Sequence, residues 1–453
     1  MRPLNVRIAR LRREFGDHQI WISRALVLAF AALAGASVVA MVWLTDRALA
    51  AFVTLTEFSQ WLPLVWTPLC TAAIVWCTRR FAPGAAGSGI PQVMAALEPS
   101  LADGPRRRLV SFPLSLAKFL LTGCGLLAGL SLGREGPSVQ VAAGVMKSAR
   151  RWLPARSAVT EHGLLVAGGA AGIAAAFNTP LAGVMFAIEE LSRNPEQRNS
   201  GLIIAAIVLA GLTAVSVYGN NTYFGVIQVP QVDFTALLPG ILVALVAGLC
   251  GGLFAQLLIH CLNGRGKDIF SRLRRAHPIV FAGCCGLAVA GIGIAMHGAT
   301  YGSGYAHSRA MLTSGEPEPL LYSAMKFIAT WLTAWSGVPG GIFAPALAVG
   351  GALGHDVAVL TAFAHPSTLI ALGMVGFLAA ATQAPLTSFI IVMEMVDGHA
   401  MVLSLMACAL IANVLSKAIS RPLYPTLADM QVELLDDAKP AIGAENPSTH
   451  GSV

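Results

Sequence analysis

The sequence predicts an all-α polytopic membrane protein, built from two related halves whose helices are interrupted within apolar sequence. Three observations carry this. Apolar runs long enough to cross a bilayer, roughly 17–25 residues, recur along the chain. Only 12% of the residues are charged, against about 25% in soluble domains. Glycine- and proline-rich breaks also fall at corresponding places in the two halves.

The runs come first. Clear candidates for spans are 25–45, 60–77, 109–132, 201–218, 234–259, 278–297 and 400–417; segments 161–176, 340–353 and 366–381 suit shorter, broken or buried helices. The 453 residues are 55% hydrophobic, and the mean hydropathy is +0.68. The first run is too long for the apolar region of a signal peptide, and no small-residue cleavage site follows it. A net charge of +7 comes from short clusters: Arg7/Arg10/Arg12/Arg13, Arg79/Arg80, Arg106–Arg108, Arg150/Arg151/Arg156 and Arg272/Arg274/Arg275. No basic stripe is interleaved with aromatics, so nucleic-acid binding is excluded. The clusters flank the apolar runs as the positive-inside rule requires, which places the N-terminus in the cytoplasm. Cys70, Cys77, Cys124, Cys250, Cys261, Cys284, Cys285 and Cys408 form no CxxC pair and no Cys/His ligand set. Buried free thiols are expected, with no metal and no cofactor.

The repeat comes next. AAAFNTPLAGVMFAIEEL (174–191) aligns without gaps on AAATQAPLTSFIIVMEMV (379–396), superposing Pro180/Leu181 on Pro385/Leu386 and Glu189 on Glu394. Upstream, each half has a Gly-Ser-Gly turn, GSGI at 87–90 and GSGY at 302–305. Between turn and Ala-rich helix lies a break, GREGP at 133–137 and GVPGGIFAP at 337–345. The expected layout is a basic N-terminus (1–20), a first transmembrane repeat (21–220), a linker (221–233), a second repeat (234–427) and a short tail (428–453). Hydropathy leaves open whether the repeats are inverted. Paired interrupted helices point to a transport site at the repeat interface.

Unwound backbone at membrane depth survives only where it is buried in protein or lines a cavity. Each break starts a helix whose first turn carries unpaired N–H groups and partial positive charge. Several such N-termini converging would hold an anion without a full cationic charge. Gly87, Gly89, Gly133, Gly136, Gly340 and Gly341 would let bare backbone approach it; scattered glycines such as Gly248, Gly251 and Gly252 read as helix packing. Matched on GVPGG, the second break has glycine where the first carries Glu135. A carboxylate in one half alone reads as a gate, since ionisable groups at this depth default to function.

GSGIP (87–91), GREGP (133–137), GIFAP (341–345) and the tyrosine of RPLYPT (421–426) together resemble the signature set of the CLC chloride channels and chloride/proton exchangers. FNTPLAGVMFAIEE (177–190) matches as well, and the likeness runs from about residue 20 to 427. The resemblance implies two inverted repeats of broken, tilted helices and a homodimer in the bilayer with one pathway per subunit. Ser88 and Tyr424 would supply anion-coordinating hydroxyls, and Ile342 and Phe343 backbone N–H groups. Gly133, Arg134 and Gly136 of the break join the anion-binding set, with the Arg134 side chain itself structural. Glu135 would be the gating and proton-transferring glutamate, and Glu190 the inner proton-transferring one.

Other roles stay open beside these. Ser88 could cap the helix starting near Ile90, and Tyr424 could be an interfacial anchor. Lys118 could snorkel, although its lead on Glu135 matches a lysine of bacterial relatives. Lys326 reads as a satisfied structural charge, and Glu189 and Glu394 as a packing or capping pair. Departures from the family are Gln92 where many members have Glu, Met94 where some exchangers carry an acid, and Pro425 directly after Tyr424. The short polar tail leaves no room for appended nucleotide-binding domains, which suggests a prokaryotic-type member of the bacterial inner membrane with both termini cytoplasmic. The function implied is chloride/proton antiport. A passive chloride channel is the alternative, and a sodium-coupled carrier or an intramembrane hydrolase at Ser88 are remote ones. There is no GxxxxGK[ST] loop, so no nucleotide drives transport.

Overall fold

The computed structural model describes residues 18–155, 157–192, 200–219, 224, 234–264, 266–313 and 321–437. The first arginine cluster, nearly all of the 221–233 linker and the end of the tail lie outside the described residues. The first half contributes α1 (His18–Phe58), α2 (Pro63–Phe81), α3 (Ile90–Ala96), α4 (Asp103–Leu109), α5 (Phe112–Leu127), α6 (Glu135–Ser148), α7 (Glu161–Phe177), α8 (Pro180–Phe186) and α9 (Ser200–Tyr218). The second contributes α10 (Leu237–Leu262), α11 (Ile269–Ala276), α12 (Pro278–Ala295), α13 (Tyr305–Thr313), α14 (Tyr322–Ser336), α15 (Phe343–Leu360), α16 (Pro366–Thr382), α17 (Pro385–Met395), α18 (Val402–Ile419) and α19 (Leu423–Asp437).

Among the described residues, seven helical stretches are long and apolar enough to cross a membrane: His18–Phe58, Asp103–Leu127, Gly201–Tyr218, Leu237–Leu262, Pro278–Ala295, Phe343–Leu360 and His399–Ile419. The run at 60–77 forms α2, which falls outside that set because Pro68 and the terminal Arg79 and Arg80 dilute its apolar character. Phe343–Leu360 joins the set instead, being longer than the 340–353 segment expected. The tail's expected start at 428 falls inside α19, which runs on to Asp437.

Local chemistry explains the punctuation. Pro63, Pro180, Pro278, Pro366 and Pro385 open their helices, where the missing N–H would be unpaired anyway. α7 and α16 end on left-handed Asn178 (φ 57°) and Gln383 (φ 60°), at equivalent places in the two repeats. Their side-chain amides then donate to equivalent carbonyls, Gly219 O at 3.2 Å and Ser420 O at 2.9 Å. These two helices are apolar and buried all round from Gly163 to Phe177 and from Thr368 to Thr382, so they form the centre of the molecule. Small residues bring neighbours close. A Cβ on Gly172 would stand 2.6 Å from Ser138 O on α6, and Gly350 of α15 and Gly373 of α16 press on each other's carbonyls.

The two breaks meet. Gly133 N donates to Gly341 O at 2.8 Å, and Gly341 N donates to Gly133 O at 2.7 Å. Reciprocal bonding between equivalent residues is what a two-fold relation produces, here between the inverted repeats. It also corrects the alignment of the breaks: GREGP pairs with GIFAP, so Pro137 answers Pro345, and the counterpart of Glu135 is Phe343 rather than a glycine. The carboxylate remains confined to one half. The cysteines are free, but only Cys261, Cys285 and Cys408 are buried; Cys124 and Cys284 are exposed. The expectation of uniformly buried thiols fails because an outward face in this chain is itself apolar.

Candidate functional site

The Gly-Ser-Gly turn before α3 is held by side chains from three directions. Lys118 on α5, fully buried, donates from Nζ to Ala85 O at 2.7 Å and Gly87 O at 2.5 Å. Gln92 Nε2 donates to Ala86 O at 2.5 Å, and Gln140 Nε2 on α6 to Gly84 O at 2.9 Å. Gly87 and Gly89 take positive φ, 70° and 110°, a region costly for any other residue. Lys326 treats the second repeat's turn in the same way, reaching Thr300 O at 2.9 Å and Gly302 O at 2.8 Å. Lys118 is therefore an anchor rather than a snorkelling side chain.

The equivalent serines part company. Ser303 Oγ accepts from Tyr305 N at 3.3 Å, a local cap. Ser88 Oγ is shielded from solvent and makes no hydrogen bond among the described residues. It does not cap α3, whose N-cap is Gly89. Instead it lies against Gly136 Cα, so closely that a Cβ there would overlap it. A buried hydroxyl without a partner costs about 1–3 kcal/mol, a cost with no structural return in this turn.

Tyr424, at the second position of α19, is 1% exposed. Its ring stacks on Phe343 at 5.9 Å between centroids, and Phe177 meets Phe343 edge-on at 6.2 Å. The Tyr424 hydroxyl is also buried without an ordinary hydrogen bond, yet it lies near enough to Ser88, Glu190 and Glu135 to feel each of them. A buried position excludes the interfacial-anchor reading. Pro425 follows within the first turn of α19, where a missing N–H is tolerated.

Glu135 is 0% exposed. As the first residue of α6, it directs Oε2 across the break to Ala344 N at 3.4 Å, in the first turn of α15. The same oxygen lies against Gly133 Cα, and Oε1 has no hydrogen-bond partner among the described residues. One carboxylate thus sits where two helix N-termini, one from each repeat, point their unpaired N–H groups. Ile342 and Phe343 are the N-cap and first residue of α15. Arg134 turns the other way, pairing with Asp46 and donating to Thr45 Oγ1 at 3.3 Å on α1.

Glu189 and Glu190 divide their directions. Glu189 accepts from Leu386 N at 3.0 Å and Thr387 N at 2.6 Å, capping α17. Glu394 returns the contact, accepting from Leu181 N at 3.3 Å and Ala182 N at 2.8 Å at the start of α8. Each repeat caps the other's helix, which settles the packing-or-capping expectation as capping. Glu190, 7% exposed, falls in a wide turn of π-helix over Ala187–Leu191. Such a turn shifts side chains out of helical register and frequently marks functional positions. Nothing in the sequence announced it, nor Gln140, nor Asp46 as the partner of Arg134. A polar residue inside an apolar helix was the available signal for Gln140.

Comparison with known proteins agrees with this geometry. The family model described as "Voltage gated chloride channel" matches residues 70–417. The chain is 31% identical over 404 residues to an H(+)/Cl(-) exchange transporter ClcA of Salmonella paratyphi A, covering 85% of this chain and 82% of that one. It is 30% identical over 431 residues to the ClcA of Citrobacter koseri, covering 90% and 88%. In fold it resembles a slow cyanobacterial Cl-/H+ antiporter, with a TM-score of 0.76 at 23% identity over 92% of this chain and 98% of that one. A family match over most of the chain, on helices broken and paired as described, shows that this integral membrane protein belongs to the voltage gated chloride channel family.

Proposed function

We propose that the protein exchanges chloride for protons across the membrane, with Glu135 as the gate. The observation that carries this is the placement of the Glu135 carboxylate on the N–H of Ala344, at the junction of the N-termini of α6 and α15. A carboxylate and a chloride ion carry the same charge and seek the same N–H groups, so one excludes the other. Helix termini and hydroxyls supply partial charges only, which bind an anion firmly enough to select it and loosely enough to release it. Ser88 and Tyr424, buried hydroxyls that lie beside each other and have no other hydrogen-bond partner among the described residues, are the donors that a desolvated anion would complete. The backbone of Ile342, Phe343, Gly133, Arg134 and Gly136 would line the same place.

Protonation of Glu135 removes its charge and its claim on the N–H groups; chloride then takes them, and the carboxylic acid moves aside carrying its proton. Glu190, close enough to Tyr424 to interact with it electrostatically, would pass protons to the other solution. The similarity to ClcA exchangers supports chloride and protons as the two substrates. The relevant membrane is the bacterial inner membrane, with both termini on the cytoplasmic face, as the positive-inside rule expects for Arg79/Arg80, Arg106–Arg108 and Arg272/Arg274/Arg275. All the site residues come from one chain, so each subunit of a homodimer would hold its own pathway.

The test is chloride-driven proton uptake into liposomes holding the purified protein. Uphill proton movement coupled to a chloride gradient is expected. A reversal potential that follows chloride alone would replace the exchanger with a passive channel.

A further inference from the structure

Away from this site, a basin of about 500 Å3 opens between the C-terminus of α2, the α10–α11 loop and the end of α14. Its lining includes three guanidinium side chains, Arg79, Arg274 and Arg275, and three hydroxyls, Thr78, Ser271 and Ser336; no carboxylate lines it among the described residues. The guanidiniums are positioned by neutral groups. Arg274 Nη1 donates to Cys261 O at 2.9 Å, and Arg275 Nη1 to Gly266 O at 2.8 Å and to Gly264 O. Arg79 has no partner among the described residues, and it stands near enough to Arg274 for their charges to repel. The nearby acid, Asp268, stands at the basin's edge, where its carboxylate is taken up as the N-cap of α11, accepting from Ser271 N at 2.8 Å.

Two guanidiniums fixed by carbonyls and a third beside them with its donors free, with no acid between them among the described residues, make a focus of positive potential. The volume lies within the roughly 300–1,000 Å3 range of small-molecule sites, far larger than a single halide needs. Arginine's planar fork matches phosphate oxygens two at a time; the hydroxyls of Thr78 and Ser336 already donate to Ile74 O and Thr333 O, so the guanidiniums carry the recognition. We propose that this basin binds a phosphate-bearing anion. The ligand would rest against Ala86 and Gly337, beside the Gly340 N to Gly87 O bond of 3.0 Å that ties the two repeats at the candidate site. The phosphate could belong to a soluble polyphosphate or to a phospholipid headgroup, because the basin's chemistry reads the phosphate and not its carrier.

The experiment uses the full chain. Tripolyphosphate is titrated calorimetrically into protein in uncharged detergent at fixed chloride. In parallel, thermal midpoints are compared in nanodiscs of neutral lipid with and without phosphatidylglycerol. Arg79→Gln is the chosen variant, since Arg79 is exposed and supports no structural bond. Arg272→Gln, on α11 with Arg274 but outside the basin, controls for bulk charge. Loss of one charge-assisted contact should weaken tripolyphosphate binding about tenfold in Arg79→Gln and under about twofold in Arg272→Gln. If tripolyphosphate does not bind, but phosphatidylglycerol raises the midpoint of the parent and not of Arg79→Gln, the occupant is a headgroup. Binding of neither, or equal weakening by the two variants, overturns the proposal.

Discussion

Gly133 and Gly341, separated by most of the chain between the repeats, exchange both of their backbone hydrogen bonds, at 2.8 and 2.7 Å. Each glycine also faces the other break's proline: a Cβ on Gly133 would lie 3.1 Å from Pro345 Cδ, and one on Gly341 3.2 Å from Pro137 Cδ. This contact brings the starts of α6 and α15 to one point. Gly341→Ala would add a Cβ 2.9 Å from Gly136 N, forcing the two turns apart. Overpacking of this kind costs typically 1–3 kcal/mol, so a lower unfolding midpoint in detergent and slower chloride flux are expected together. Unchanged flux in a destabilised variant would separate the bridge from transport.

Glu135→Gln removes the negative charge that competes for Ala344 N while keeping the shape. Chloride flux should persist in liposomes and proton movement should stop. The pH response gives a second reading with a definite sign. In the parent protein, lowering the pH protonates the carboxylate, abolishes its competition and speeds exchange; raising the pH restores it. The glutamine variant should lose that dependence. Proton pumping that survives the substitution would end the gate assignment.

Adjacent glutamates should fail differently. Glu190→Gln is expected to uncouple protons while chloride transport continues, measured by the flux ratio. Glu189→Gln leaves two backbone N–H groups of α17 with a weaker acceptor, and Glu394→Gln does the same to α8. A lost cap costs about 1 kcal/mol, so both should lower the unfolding midpoint with coupling retained. Loss of coupling in Glu189→Gln with a normal midpoint would reverse the two assignments.

Lys326→Met strands two carbonyls, Thr300 O and Gly302 O, whereas Lys118→Met strands Ala85 O and leaves Gly87 O with the N–H of Gly340. A buried unsatisfied group costs about 1–3 kcal/mol, so both variants should be destabilised, Lys326→Met the more. Only Lys118→Met should also weaken chloride binding by calorimetry, because only its turn presents a serine hydroxyl free of a cap. Equal effects on chloride would mean that the lysines act through the scaffold alone.

Tyr424→Phe keeps the stack on Phe343 and deletes the hydroxyl. Chloride affinity should fall several-fold while the unfolding midpoint holds or rises, since a buried donor without a protein partner disappears. A lower midpoint with unchanged affinity would make Tyr424 a structural residue.

The sequence by itself determined the solvent, the duplication and the places where helices break, because apolar length, repeated order and Gly/Pro placement are local properties. It named Ser88, Glu135, Glu190 and Tyr424 through their motifs. It misaligned the breaks: GVPGG and GREGP look alike on paper, and only the bridge from Gly133 to Gly341 shows that GIFAP is the true counterpart, opposing Phe343 to Glu135. The π-turn that carries the pair 189/190 was equally hidden, although the motif had already given the two glutamates different roles. Likewise, the two Gly-Ser-Gly turns read alike, and only packing left Ser88 without a partner while Ser303 found Tyr305. The physical reason is common to all three. Which groups finally meet, and how a turn is wound, is decided by the packing of whole helices, to which no local pattern is sensitive.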